Sequence, residues 1–230
     1  MHDLISSAEC VLFDFDGPVC RLFSGHPSAG IAQRMRDLVA EHGQERLLGE
    51  EARSTGDPQV VLRTVAAARP GGGLAALLER ALTEEEMRAA AVARPTPYAD
   101  PLVRTLAATG RRLAVTTNNS ARAAELYLTG RRLAPYFSGH IHGRRQDTRL
   151  LKPHPDCLHR ALESTGTRPE RALMIGDSPA DLLAAGAAGV RFLGYARNEG
   201  KAEQLREAGA SHVVTSLQDV LTAVRAPTFG

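Results

Sequence analysis

The apolar run Val11-Leu12-Phe13 passes into Asp14-Phe15-Asp16 and stops at Gly17-Pro18. A short apolar run closed by turn formers reads as a buried strand entering a turn. Residues 112–117 and 172–177 repeat the pattern, each apolar until a polar or acidic end. Runs at 139–142, 190–195 and 212–215 predict further strands. Helical spacing fills the gaps, over about 99–109, 120–129, 155–164, 179–188, up to about 208, and 216–224. Strands alternating with helices predict an α/β fold, a doubly wound parallel sheet.

Residues 27–93 break this rhythm. No strand-like run occurs there. Asp57-Pro58 places a capping acid before a helix-starting proline and opens a helix over 59–68. Arg69-Pro70-Gly71-Gly72-Gly73 ends it. Thr83 followed by Glu86 has the spacing of a capping box and predicts a helix start, with the helix running over 84–93. The pattern predicts an α/β core from 1–20 and 94–230, with an all-helical insertion at 21–93. Pro18, Gly25, Pro27, Pro95 and Pro97 punctuate the two crossings, where a hinge is expected.

Composition narrows the function. The 230 residues are 43% hydrophobic with a net charge of +2, which suits a soluble globular protein. No dense basic run with interleaved aromatics points to nucleic acid, and no apolar stretch reaches the length of a membrane span. Residues 1–10 lack the basic-then-apolar pattern of a signal peptide. Cys10, Cys20 and Cys157 form no metal-binding spacing, so a reducing cytoplasm is expected. The expected assembly is a monomer or weak homodimer. Lysine occurs only at Lys152 and Lys201, while arginine supplies every other cationic Lys/Arg position.

In open parallel sheets, sites form beyond the carboxyl ends of the strands. Asp14/Asp16, Thr116/Thr117 and Asp177 all fall at such ends. Asp14 and Asp16, two apart on an extended strand, point to one side. Two carboxylates held together repel unless a cation or a shared proton relieves them, and a hard ion such as Mg²⁺ suits oxygen ligands.

Asp14-Phe15-Asp16-Gly17 resembles the first motif of the haloacid dehalogenase-like superfamily, and Thr117, ending 113–118, resembles its second. Lys152-Pro153-His154-Pro155-Asp156 resembles the third, and Gly176-Asp177-Ser178-Pro179-Ala180-Asp181 the fourth. Order and spacing match along essentially the whole chain. The helical block sits where the phosphoglycolate phosphatase-like branch carries its cap. The resemblance implies a Rossmann-like core and a Mg²⁺-dependent phosphatase of small phosphorylated metabolites. It implies Asp14 as nucleophile, Asp16 as general acid and base, and Asp14, Asp16 and Asp177 around the metal. Thr117, Asn118 and Lys152 would hold the phosphoryl group, with Asp181 supporting Lys152 or the metal's water shell.

Two other functions share this pattern: a sugar phosphomutase of the same superfamily, and a non-catalytic binding protein on the same fold. A haloacid dehalogenase is disfavoured by the second acid, Asp16. A phosphonate hydrolase is disfavoured because residues 20–93 contain no lysine. Pro18, Arg21 and Leu22 depart from the family pattern. The basic linker 143–151, with Arg144, Arg145 and Arg149, is read as a solvated loop. His140 and His142 are read as structural, and Cys20 as packing near the hinge. Arg53, Arg63, Arg69 and Gly71–Gly73 are the candidates for substrate contacts from the insertion. Lys201 is expected on a surface helix away from the chemistry.

Overall fold

The computed structural model describes residues 2–226. The chain opens with α1 (His2–Ser6), β1 (Cys10–Phe13) and β2 (Cys20–Arg21). A helical insert follows, with α2 (Ser28–Glu41), α3 (Glu50–Ser54), α4 (Pro58–Ala68) and α5 (Gly73–Val92). Next come β3 (Arg94–Pro95), α6 (Ala99–Ala108), β4 (Arg112–Thr116), α7 (Ala121–Gly130), α8 (Ala134–Phe137) and β5 (Ile141–His142). The chain continues with α9 (Asp156–Thr165), β6 (Ala172–Gly176), α10 (Pro179–Ala187) and β7 (Arg191–Tyr195). It ends with α11 (Glu199–Glu207), β8 (Val213–Val214) and α12 (Leu217–Arg225).

Six strands form one parallel sheet in the order β5-β4-β1-β6-β7-β8. Strand β1 is central and buried on both faces, as its unbroken apolar run requires. Val11 and Phe13 pack into the larger apolar cluster with α6, α7 and α12, whereas Cys10 and Leu12 meet α9 and α10 on the other face. Phe13 is level with Val115 of β4 and Ile175 of β6. This register puts the ends of three chemistry-bearing strands side by side.

Between β2 and β3 every described element is helical, as the sequence predicts. Leu62, Leu78 and Met35 belong to an apolar cluster specific to this insert. Asp57 caps α4 by accepting from the Gln59 N–H. The antiparallel pair β2–β3 ties the two crossings together, with Cys20 opposite Pro95 and Arg21 opposite Arg94. Thr83 departs from expectation. It lies mid-way along α5, which starts ten residues earlier, at the last of the three glycines. Its hydroxyl donates to Glu79 one turn back instead of capping a helix start. Helix α5 also joins the two cores: Leu74, Leu78 and Leu82 pack in the insert, and Ala89 and Ala90 pack in the main cluster. No helix among the described residues is long and apolar enough to cross a membrane.

Gly143, just past β5, packs against the start of α7. A Cβ there would lie 2.3 Å from the Ala121 nitrogen and 2.6 Å from the Asn119 oxygen. Gly30, inside α2, has no atom within 4 Å of such a Cβ. Gly143→Ala is therefore expected to destabilise by roughly 1–3 kcal/mol through overpacking. Gly30→Ala should stabilise by about 1 kcal/mol through helix propensity. Urea-denaturation midpoints of the two variants check both signs.

Candidate active site

The ammonium of Lys152 lies at the centre of the site. It donates to Asp14 Oδ1 at 2.8 Å, to the Thr116 carbonyl at 2.9 Å and to Asp181 Oδ1 at 2.5 Å. Lys152, Asp14 and Asp181 are only 3%, 7% and 1% exposed. Burial works to lower the lysine's pKa, but the two carboxylates outweigh it and the group is raised, so Lys152 stays charged. Burial pushes the Asp14 carboxyl up to about 7; Lys152 opposes this, and Asp181 and Asp177 add to it.

Asp181 has two tasks. It lies in the first turn of α10, where its Oδ2 accepts from the Asp177 and Ser178 N–H groups and from the Ser178 hydroxyl. With Ser178 it forms a capping box. Its other oxygen faces Lys152. The helix cap thus fixes the carboxylate that holds the ammonium.

Asp14, Asp177 and Asp181 each present an oxygen within 4.8 Å of the others. Both Asp181 oxygens are already engaged. The nearest cation to Asp177 is Lys201, 3.7 Å from Oδ2. Burial raises the Asp177 carboxyl to about 6, with Lys201 opposing and Asp181 and Asp16 reinforcing. An all-oxygen set with crowded, raised carboxylates suits a hard divalent cation. Asp16 turns towards the insert crossing, where its Oδ1 accepts from the Leu22 N–H at 2.8 Å. Burial raises its carboxyl to about 6, against the pull of that N–H. Gly17, at φ +127°, allows the close approach, since a Cβ there would lie 2.6 Å from the Asp177 carboxyl carbon.

Past β4, the segment 117–120 makes three distinct contacts. Thr117 Oγ1 accepts from the Asn119 N–H at 3.0 Å and donates to Asn119 Oδ1 at 3.1 Å. Asn118, predicted as a phosphate contact, lines the cavity and grips the Lys152 backbone through both ends of its amide. Asn119 and Ser120 donate to Glu86 of α5. The linker 143–151 is only partly the solvated loop that its composition suggests. The Arg144 side chain is fully buried, paired with the fully buried Glu86, and reaches Glu79. Arg145 and Arg149 remain exposed. A carboxylate partner 58 residues upstream on another element gives no local sequence signal.

A cavity of about 450 Å³ opens over Asp14, Asp16, Asn118, Lys152 and Asp181. The insert walls it with Phe23, Ser28, Ala29 and residues 56–59. Arg53, Arg63, Arg69 and Gly71–Gly73 do not line it. Arg53 holds the Leu48 and Glu45 carbonyls, and the glycines flank a separate depression with Arg69. A search for charged residues misses the observed wall because most of it is small or uncharged. An adjoining cavity of about 540 Å³ shares Asp16, Phe23 and Ser28 and adds Asp177, Arg21, Arg197 and Lys201. Lys201 is therefore beside the acidic centre, contrary to its expected remote position, because β7 ends next to β6 and delivers the start of α11 there. His140 and His142 both bond the Ser164 hydroxyl, a structural use. Cys20 is buried, its thiol directed at the Phe15 carbonyl.

Phosphoglycolate phosphatase of Rhodospirillum rubrum is 33% identical over 205 residues, covering 82% of this chain and 81% of that protein. The Escherichia coli K12 phosphoglycolate phosphatase is 34% identical over 133 residues, 57% of this chain and 51% of its own length. The chain thus matches about half the length of that relative. Among solved structures, CbbY of Rhodobacter sphaeroides in complex with phosphate superposes with a TM-score of 0.68 at 24% identity, covering 95% of this chain and all of that one. A predicted phosphatase from Clostridium acetobutylicum gives 0.68 at 22% identity, covering 94% and 98%. Residues 8–189 match the haloacid dehalogenase-like hydrolase family, and the chain is a member of that family.

Proposed function

We propose that this hydrolase cleaves small-molecule phosphate monoesters through an aspartyl-phosphate on Asp14. The observation that carries the reading is the buried Lys152 ammonium, held against Asp14 by Asp181 at the floor of a cavity. A carboxylate oxygen of Asp14 attacks phosphorus, and the bond from phosphorus to the leaving oxygen breaks. Asp16 gives that oxygen its proton, a task suited to a carboxyl raised to about 6. Water then attacks the phosphorus and Asp16 takes its proton. The bond to Asp14 breaks, inorganic phosphate leaves, and both acids return to their starting state. Lys152 would meet the phosphoryl oxygens, where negative charge must be balanced, and the Thr117 hydroxyl, whose one proton goes to Asn119 Oδ1 in this structure, would turn it to a phosphoryl oxygen. Mg²⁺ held by Asp14, Asp177 and the backbone of Asp16 would offset the repulsion between carboxylate and phosphate.

Residues 21–93 would act as the cap on a core of 1–20 and 94–230, in a cytoplasmic enzyme. Its hinge would lie at the β2–β3 crossing, near residues 18–26 and 93–97. Phosphoglycolate is the first substrate to test, given the relatives' names. A second anionic group would find cations in the adjoining cavity at Arg21, Arg197 and Lys201. A sugar phosphomutase would share the first half-reaction. Steady phosphate release with no bisphosphate activator supports hydrolysis, and a strict need for the activator overturns it.

Asp14→Asn should abolish turnover. Asp16→Asn should cost about 10²–10⁴ on an alkyl phosphate and far less on 4-nitrophenyl phosphate, whose leaving group needs little protonation. Steady-state kinetics on the two substrates check this, and equal losses on both would remove the assigned role of Asp16.

The metal makes a separate prediction. With Asp14 raised to about 7 and Asp16 and Asp177 to about 6, the metal-free folded protein keeps protons that the unfolded chain releases near pH 4. These groups therefore cost stability as pH rises from about 4 through 7. A divalent cation takes the place of the protons, so Mg²⁺ should raise Tm more at about pH 8 than at about pH 5.5. Thermal melts with and without Mg²⁺ at both pH values read it; equal shifts would break the link between the carboxylates and the metal.

A further inference from the structure

We propose that Glu86, on α5 of the helical insert, is a positioning residue for Thr117 and acts through Asn119. The proposal rests on the phosphatase reading, in which the Thr117 hydroxyl would turn its one proton from Asn119 Oδ1 to the phosphoryl group while still accepting from the Asn119 N–H. Glu86 is fully buried, yet it receives four donors: Asn119 Nδ2 at 2.9 Å, the Ser120 N–H at 2.8 Å, and Arg144 Nη1 and Nη2 at 2.8 and 3.0 Å. An ionised carboxylate only accepts. Asn119 must therefore turn its amide nitrogen to Glu86, which turns its amide oxygen to the Thr117 hydroxyl. The Asn119 N–H donates to the same hydroxyl oxygen. Thr117 Oγ1 is thus held on two sides by one residue, and Glu86 fixes how that residue faces.

The surrounding contacts pin the same loop. The Arg144 N–H donates to the Asn119 carbonyl at 2.8 Å, and Arg144 Nη1 donates to the Asn118 carbonyl at 3.1 Å. Gly143 lets the two loops touch. Simple adhesion between α5 and the core does not require this chemistry, because an apolar pair of similar volume would dock the helix without desolvating two charges. The charged arrangement supplies what an apolar pair cannot, an orientation imposed on Asn119. Glu79 provides an internal comparison. It meets the same guanidinium at 3.3 Å but contacts neither Asn119 nor Ser120.

The test is steady-state kinetics of wild type, Glu86→Gln, Glu79→Gln, Asn119→Ala and the Glu86→Gln/Asn119→Ala double variant, on 4-nitrophenyl phosphate and an alkyl phosphate with Mg²⁺. Glu86→Gln should lower kcat by about 10- to 100-fold with KM within about threefold, since the hydroxyl acts on the transferring group. The loss should be equal on both substrates, unlike that of Asp16→Asn, because Thr117 faces phosphoryl oxygens and not the leaving oxygen. Glu79→Gln should stay within about twofold of wild type. The double variant should lose no more than its worse single parent, the signature of two residues acting in series. Multiplying losses, equal losses in Glu79→Gln and Glu86→Gln, or wild-type kcat in folded Glu86→Gln would each overturn the proposal. If Glu86→Gln does not fold, Asn119→Ala carries the test: it keeps the Glu86–Arg144 pair, and wild-type kcat there overturns the proposal. An inert wild type sinks the phosphatase reading and this inference with it, whereas an active wild type with an unaffected Glu86→Gln sinks the inference alone.

Discussion

A lysine ammonium buried among carboxylates is the interaction on which the rest of this molecule depends. Alone in the interior, Lys152 would lose its proton. It keeps its charge because Asp14, Asp181 and the Thr116 carbonyl surround it. Those three groups come from β1, α10 and β4, so the arrangement exists only if β4 and β6 flank β1 in register. Two glycines let the backbone close on the cluster. A Cβ at Gly176 would lie 2.5 Å from the Asp181 Cβ, and one at Gly17 would strike the Asp177 carboxyl. Sheet order, loop glycines and the cap of α10 are in this sense one constraint.

The helical insert meets that cluster through α5. The N-terminal half of α5 packs in the insert's apolar core and its C-terminal half in the main one. Between the halves, Thr83 and Glu86 meet the buried Arg144. A rigid swing of the whole insert would expose Ala89 and Ala90 and leave two charges buried or half-solvated without partners, a cost of several kcal/mol for the broken pair alone. Ser28 and Ala29 of α2 and residues 56–59 before and at the start of α4 face the cavity.

Much of this was legible in the sequence where the signal was local. Apolar runs located the four longer strands, and Asp57-Pro58 marked a real helix start. Of the residues named by four short motifs, Asp14, Asp16, Asn118, Lys152 and Asp181 line one cavity and Asp177 the adjoining one, while Thr117 lines neither. What escaped was non-local or ambiguous. Arg144 looks like any linker arginine until Glu86, from another element, is placed against it. Thr83 and Glu86 have the spacing of a capping box, and only the continuity of α5 shows that the pair lies inside a helix. Lys201 sits on an ordinary polar helix, and its approach to Asp177 follows from strand order, which amphipathic patterning does not encode.

The charge balance of the site ties these parts to phosphate chemistry. When ionised, Asp14, Asp16, Asp177 and Asp181 carry four negative charges against the single buried charge of Lys152, while Arg21, Arg197 and Lys201 line the adjoining cavity. A phosphate monoester dianion brought against Asp14 meets a carboxylate held by that one buried cation, and is repelled. At an effective dielectric of about 20, each like-charged contact near 4 Å costs about 4 kcal/mol. Protons relieve part of the strain, as the raised carboxyls of Asp14, Asp16 and Asp177 record. But a protonated Asp14 is no nucleophile. The residues thus demand a relief that leaves Asp14 ionised while tolerating a second anion beside it. In the proposed mechanism a divalent cation held by Asp14 and Asp177 would meet that demand together with Lys152. Asp16, whose Oδ1 accepts from the Leu22 N–H, would then be the acid that exchanges a proton in the proposed mechanism.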